Sequence, residues 1–81
     1  MVVQVRINGI LAQEIGASNL RVQVADPATV ADVLAQLNDR YPDSAEKLTQ
    51  TIPFVAGQHL STDASISPGQ KLSLLMPAAG G

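Results

Sequence analysis

Alternation of hydrophobic and polar residues predicts two strands at the start of the chain. Residues 2–8 read VVQVRIN, and residues 20–24 read LRVQV. A period of two is typical of a strand with one buried face. We therefore expect a first strand over residues 2–8 and a second, antiparallel strand that ends before Asp26-Pro27. The connection over residues 10–16 is expected to be a short helical turn or an irregular segment.

A helical pattern follows these strands. Thr29 is suited to cap a helix, because its hydroxyl can accept a hydrogen bond from an unpaired amide, and Asp32 completes the Thr-x-x-acid pattern. Pro42 ends the helix, since the residue before a proline is disfavoured in helical geometry. Apolar residues recur at helical spacing along one side of the segment: Val30, Val33, Leu34, Leu37 and Tyr41. A short second helix is expected over residues 44–50.

The last third of the chain returns to short strands. Residues 54–56 are apolar and precede Gly57, Pro68-Gly69 suits the centre of a type II turn, and residues 71–76 form the last strand. A hairpin followed by a helix is an α+β plan, and a right-handed crossover places the last strand parallel to the first. The pattern predicts the β-grasp fold of ubiquitin. Its mixed sheet would have four to five strands, with one main helix across one face.

Composition limits the function classes. The chain has 81 residues, enough for one domain, and its 46% hydrophobic content includes only one Phe, one Tyr and no Trp. It has no cysteine, and His59 is its only histidine, so we expect no metal site. No apolar run has the length of a membrane helix and no signal peptide is recognisable, so a cytoplasmic protein is expected. A net charge of -2 argues against nucleic-acid binding and favours partners with basic patches.

The sequence ends in Gly80-Gly81, with Pro77, Ala78 and Ala79 before them. Consecutive glycines add little to a helix or strand, because each loses much backbone entropy on ordering and offers no side chain to pack. A tail that threads a narrow channel in another protein does need residues without a Cβ atom. We therefore expect a domain over residues 1–76 and a flexible tail over residues 77–81. A frayed, small-residue terminus is the alternative interpretation.

The turn Pro68-Gly69-Gln70, the apolar strand after it and the ending LLMPAAGG resemble the MoaD/ThiS-type ubiquitin-like sulfur carriers. The resemblance is greatest to MoaD, the small subunit of molybdopterin synthase. It covers the whole chain in pattern and is most specific over the last dozen residues. The chain departs from the family by having Ala56 where Asn is common, Gln70 where Asp is common, leucines where aromatic residues are common in the last strand, and Ala12 where an arginine is common.

The resemblance implies that the chain is a substrate rather than an enzyme. An adenylyltransferase of the ubiquitin-activating type, similar to MoeB, would use ATP to convert the Gly81 carboxylate into an acyl adenylate. A sulfur donor protein would then leave a thiocarboxylate on Gly81, while Pro77, Ala78, Ala79 and Gly80 lie in the partner's channel. The sulfur would enter molybdopterin in the large synthase subunit, MoaE, and the carrier itself would bind no cofactor. The alternatives are a carrier for thiamine, cysteine or a secondary metabolite, a ubiquitin-like protein modifier, and a β-grasp interaction domain.

One position in the last strand predicts a docking surface. If Leu72, Leu74 and Met76 point into the core, strict alternation places Leu75 on the opposite face of the sheet. A monomer would favour a polar residue there, so Leu75 predicts a partner interface beside the tail. His59 is expected to be a second partner-facing residue. A single exposed leucine without a role is the ordinary alternative.

Overall fold

A computed structural model describes residues 1–77 as a sheet with helices packed on one face. The helices are α1 (Gly9–Ile15), α2 (Val30–Arg40) and α3 (Ala45–Thr49), and a 3-10 turn (Pro42–Ser44) joins the last two. The strands are β1 (Val2–Ile7), β2 (Asn19–Gln23), β3 (Ala28–Thr29), β4 (Ile52–Val55), β5 (Gln58–His59), β6 (Ser65–Ile66) and β7 (Lys71–Leu75). Within residues 1–77, no helix combines the length and apolar character that a membrane span requires.

The five-stranded sheet has the order β2-β1-β7-β4-β5. β1 pairs antiparallel with β2 and parallel with β7, while β4 pairs antiparallel with β7. The last strand therefore lies in the centre of a mixed sheet, as the right-handed crossover predicts. The α+β, β-grasp prediction is confirmed, including the number of strands and the main helix across one face.

The capping residues of α2 behave as the sequence predicts. The Thr29 hydroxyl accepts the Asp32 N–H at 3.2 Å, and the Asp32 carboxylate accepts the Thr29 N–H at 2.8 Å. This reciprocal pair satisfies two amides that have no partner within the helix. Arg40 is the last helical residue, and the chain leaves the helix at Tyr41-Pro42. Together the cap and the proline define both ends of the helix that covers the sheet.

The core lies between the sheet and the helices and is almost entirely aliphatic. Its fully buried side chains come from alternate positions of β1 and β7 and from one side of each helix: Val3, Val5, Ile7, Leu11, Val30, Val33, Leu37, Leu48, Leu72 and Leu74. Tyr41 and Met76 are half-buried and pack against this cluster. Alternation along β1 and β7 therefore leaves a second face of the sheet that no helix covers.

The turn before β7 and the segment after β1 agree with the sequence prediction, while one further feature was not predicted. The Gln70 N–H donates to the Ser67 carbonyl at 3.2 Å, and Gly69 has a φ of 86°, as a type II turn requires. Residues 9–15 form a short helix, which is the first of the two alternatives expected for this connection. A separate two-stranded sheet, β3 with β6, is absent from the sequence prediction because two-residue strands carry no periodic signal. The division into residues 1–76 and 77–81 stays a prediction, since residues 78–81 lie outside the described residues.

Candidate docking face

The strand β7 carries different residues on its two sides. Leu72 and Leu74 are completely buried beneath the helices, whereas Lys71, Ser73 and Leu75 point to the side of the sheet that no helix covers. We call this uncovered side the outer face. The alternation predicted for Leu72, Leu74 and Leu75 is confirmed, although Leu75 is half-buried by its neighbours and not fully exposed.

The outer face is apolar where β7 ends. Leu75 lies directly opposite Ile52 of β4, and the preceding outward residue, Ser73, lies opposite Phe54. Ile52 is 36% exposed, so the apolar surface of Leu75 continues onto the neighbouring strand. Leu75 and Phe54 also line a groove of about 430 Å³, together with Arg6, Asn8, Gly57 and Ser73. We call Leu75, Ile52 and Phe54 the apolar patch.

His59 extends the outer face beyond the apolar patch. It is exposed and lies opposite Phe54 on the neighbouring strand β5. The two ring centroids are 5.6 Å apart with the planes tilted by 49°, a distance suited to an aromatic contact. Leu75 and His59 therefore share one face, as the sequence prediction requires, but Phe54 lies between them. Their predicted role in binding stays a prediction.

Asn8 fixes the position where the chain leaves β7. Its side-chain Oδ1 accepts the backbone N–H of Met76 at 3.1 Å. This bond follows directly after the parallel pairing of β1 with β7, whose last pair is Ile7 with Leu74. Asn8 and Ile52 were not identified from the sequence, because their importance depends on which strands become neighbours.

The other half of the outer face carries positive charge. Gln4 of β1 lies opposite Arg21 of β2 on one side and Lys71 of β7 on the other. Two residues further along β1, Arg6 lies opposite Asn19 and Ser73. The overall charge of the chain favours basic partners, but this face has the opposite sign. Whole-chain charge therefore does not describe the outer face.

A polar cluster far from the outer face joins α1 to α3. Glu14 accepts a hydrogen bond from the Ser44 hydroxyl at 2.8 Å and forms an ion pair with Lys47 Nζ at 2.8 Å. The hydrogen bond from Lys47 has the largest effect and that from Ser44 the next, and both lower the pKa of Glu14 below its usual value of 4.5. Glu14 in turn raises the pKa of Lys47. Ser44 is buried, so this bond also satisfies a hydroxyl that water does not reach. The arrangement is that of a structural link between helices.

The remaining predicted site residues lie near or beyond the end of the described chain. Pro77 is exposed and is the last described residue, whereas Ala78, Ala79, Gly80 and Gly81 lie outside the described residues. Within residues 1–77, no three His, Asp or Glu side chains come close enough together to hold a metal ion.

Family comparison agrees with this geometry. The model of the ThiS family matches residues 5–81. Because the match covers nearly the whole chain, the protein belongs to the ThiS family. A search of curated protein sequences found no significant match.

Solved structures with the same fold include small archaeal modifier proteins and subunits of molybdopterin converting factors. SAMP1 from Haloferax volcanii superposes with a TM-score of 0.87 at 22% identity, over 100% of both chains. A putative molybdopterin converting factor subunit 1 from Pyrococcus furiosus has a TM-score of 0.85 at 17% identity, over 96% of this chain and 99% of that one. A chain of the BexX/CysO complex from Amycolatopsis orientalis has a TM-score of 0.78 at 21% identity, over 98% and 99%.

These similarities define a class and not one pathway. The chain has the small ubiquitin-like fold shared by ThiS/MoaD-type sulfur carriers and ubiquitin-like modifiers, and the resemblance seen in the sequence is confirmed at that level. At these sequence identities the structural neighbours establish the fold alone.

Proposed function

We propose that this protein is a sulfur carrier that acts through the carboxylate of Gly81, as the small subunit of a molybdopterin synthase. The observation that carries the proposal is the position of β7. The strand lies in the centre of the sheet and ends beside the apolar patch, so the residues that follow it start from a surface suited to binding a partner. The ThiS family match, which extends to residue 81, supports the same role.

The proposed chemistry has two steps, both catalysed by a partner. In the first, a Gly81 carboxylate oxygen attacks the α-phosphorus of ATP and pyrophosphate leaves, giving an acyl adenylate. In the second, the sulfur of hydrosulfide attacks the carbonyl carbon, AMP leaves and the proton on sulfur is lost to solvent. The result is a thiocarboxylate. A MoeB-like adenylyltransferase would catalyse the first step, and a MoaE-like large subunit would accept the sulfur.

Two features of the described residues support a role as substrate. The outer face offers an apolar patch for docking, and the Asn8–Met76 bond holds the start of the tail at a defined place on that face. A partner that binds the patch would thereby receive the tail in a constant position. Proximity of this kind can supply much of the acceleration of a bimolecular reaction.

Mass spectrometry tests the proposal directly. The full chain is incubated with the ubiquitin-activating-type adenylyltransferase of the same cell, ATP and sulfide, and the intact mass is recorded. Replacement of one oxygen by sulfur is expected to raise the mass by about 16 Da, while a variant lacking Gly80 and Gly81 keeps its mass. Both proteins should melt at the same temperature, because a short terminal segment contributes little to stability. An equal mass shift in the truncated variant would contradict the proposal.

The assignment to molybdopterin needs a second assay. The thiocarboxylated chain, mixed with the large synthase subunit and the cyclic pyranopterin precursor, should yield molybdopterin and return Gly81 to a carboxylate. The similarity to molybdopterin converting factor subunit 1 supports this pathway. Sulfur that stays on Gly81 in the presence of a competent large subunit would assign the carrier to thiamine, cysteine or secondary metabolism instead.

A protein modifier is the second candidate, because the similarity to SAMP1 extends over the full length of both chains. Its chemistry shares the adenylate but ends in an amide bond between Gly81 and a lysine of another protein. Conjugates of higher mass that resist reducing agents and disappear with the Gly80-Gly81 deletion would support this role. A carrier that acts in sulfur transfer alone would form no such conjugates.

A further inference from the structure

Charge is separated between the two sides of this protein. The strands of the five-stranded sheet contain three of the five basic residues, Arg6, Arg21 and Lys71, and no Asp or Glu. Helices α1 to α3 and the 3-10 turn contain five of the seven acidic residues, and the other two lie in loops. The protein is therefore acidic as a whole but cationic on its outer face.

The strand register brings these cations together. Arg21 and Lys71 are both opposite Gln4, on either side of β1, which places them about 10 Å apart at the usual strand spacing. Arg6 is the next outward residue of β1. All three side chains are exposed, and within residues 1–77 none of them forms an ion pair. Asp39 lines a cleft with Arg21 but makes no ion pair with it, and Arg40 adds a further cation to the same cleft. A cluster of like charges without ion-paired partners produces a local positive potential that can attract an acidic surface.

The cationic cluster adjoins the apolar patch. Arg6 lines the same groove as Leu75 and Phe54, so one continuous surface has an apolar end beside the tail and a cationic end away from it. Nucleic acid or an anionic membrane would require cations along most of the contact, and the acidic remainder of this chain would be repelled by either. A protein surface with an apolar centre and carboxylates at one side is complementary to both the apolar patch and the cationic cluster.

We propose that the outer face binds a protein surface of this kind, and that it belongs to the adenylyltransferase that activates Gly81. The inference rests on the proposed function and adds a division of labour to it. The apolar patch contributes affinity at short range, whereas Arg6, Arg21 and Lys71 orient the carrier during approach and accelerate association. Charges at the edge of an interface typically act on the association rate in this way.

Two glutamines provide a matched test. Gln4→Glu places one negative charge between Arg21 and Lys71, whereas Gln13→Glu places the same charge on the exposed side of α1, in the helical layer. Both changes conserve side-chain size and alter the net charge equally. At low salt, association with the adenylyltransferase is expected to slow about two- to fivefold for Gln4→Glu and to stay unchanged for Gln13→Glu. Combined replacement of Arg21 and Lys71 by glutamine should slow it about tenfold.

Ionic strength gives an independent readout. The Debye length falls from about 10 Å at 0.1 M salt to about 3 Å at 1 M, so the differences between variants should largely disappear at 1 M. Stopped-flow association rates measured over this range, with thermal melts of each variant, separate steering from loss of folding. Equal rates for Gln4→Glu and Gln13→Glu at low salt would overturn the proposal, as would rates of the parent chain that do not change with salt.

Two further measurements distinguish the possible failures. Complete absence of adenylation in the parent chain would reject the proposed function, whereas normal adenylation with equal rates for the two glutamate variants would reject the docking proposal alone. Vesicles containing phosphatidylserine and a 20-base-pair double-stranded RNA serve as polyanionic probes. Binding to either at 0.15 M salt that Gln4→Glu weakens would assign the cationic cluster to a membrane or to nucleic acid, and would overturn the assignment to a protein partner.

Discussion

The side chains on the two faces of β7 have different roles, although the strand has only five residues. Leu72 and Leu74 have no exposed surface and contact the helices, whereas Leu75, next along the chain, contacts Ile52 on the outer face. Apolar surface is present on both sides, but on the inner side it is already covered by the protein itself. The difference indicates that hydrophobic character alone does not separate a core residue from a docking residue. What separates them is whether the fold supplies a covering layer.

Neighbouring leucines offer the sharpest test of this comparison. Leu74→Ala should lower the free energy of unfolding by about 2 to 5 kcal/mol, because it leaves a cavity in a fully packed core. Leu75→Ala should lower it by about 1 kcal/mol or less, since its side chain is partly in contact with water. Denaturant unfolding of both variants provides the measurement.

Binding should show the reverse order. Leu75→Ala is expected to weaken the affinity for the adenylyltransferase about tenfold if Leu75 is an anchor of the interface. Leu75→Asp should weaken it further, because a carboxylate would be buried against an apolar partner. Titration calorimetry with folded protein gives the affinity. If Leu75→Ala lowered stability as much as Leu74→Ala and left affinity unchanged, the distinction between the two faces would be wrong.

Substitution of Asn8 tests whether its hydrogen bond to the Met76 N–H holds the start of the tail in place. Asn8→Ala removes the acceptor for the Met76 N–H and should reduce stability by about 1 kcal/mol, with a lower rate of adenylation at subsaturating carrier. Asn8→Asp retains an acceptor oxygen and should recover most of that rate. Steady-state pyrophosphate release compares the variants. Similar rates for Ala and Asp would show that the bond does not position the tail.

The turn between β4 and β5 provides a smaller effect, away from the core. Ala56 has a φ of 51° and Gly57 a φ of 78°, both in the left-handed region that favours glycine or asparagine. Ala56→Asn should raise the free energy of unfolding by about 0.5 to 1 kcal/mol, because asparagine tolerates this conformation better.

Gly57→Ala is the reverse experiment in the same turn. An added Cβ would meet no atom within 4 Å, so any loss of stability comes from backbone conformation and not from a clash. We expect a loss of about 1 kcal/mol. Thermal melts should therefore move in opposite directions for the two variants, and a shift in the same direction would contradict this explanation.

The Glu14 cluster should give the smallest effect, confined to acid pH. The folded-state pKa of Glu14 is lowered by Lys47 and Ser44, so its contribution to stability is present above the unfolded value near 4.5. That contribution is lost as the pH falls through the lowered folded-state pKa. In the Glu14→Gln variant, the free energy of unfolding should therefore fall less steeply as the pH is lowered from about 5 toward acid denaturation. Urea unfolding at several pH values measures this dependence. An unchanged slope would mean that the ion pair does not persist in solution.

Local chemistry explains which parts of the fold could be predicted. The strands β1, β2 and β7 follow from a period of two, the ends of α2 from Thr29 and Pro42, and the type II turn from Pro68-Gly69. Each of these signals depends on residues adjacent in sequence. The two-residue strands β3 and β6 depend on a pairing between residues far apart in the chain, which no local pattern encodes.

The sequence by itself determined that Leu75 lies opposite the core and carried the resemblance to the MoaD/ThiS-type ubiquitin-like fold, because alternation along a strand and the residues of the last turn and strand are local features. Only the tertiary structure decided what surrounds Leu75. Ile52, Phe54 and Arg6 become its neighbours because β7 enters between β1 and β4. The separation of charge has the same origin. The positive cluster forms because β1, β2 and β7 pair side by side, and long-range strand pairing is a property of the folded chain.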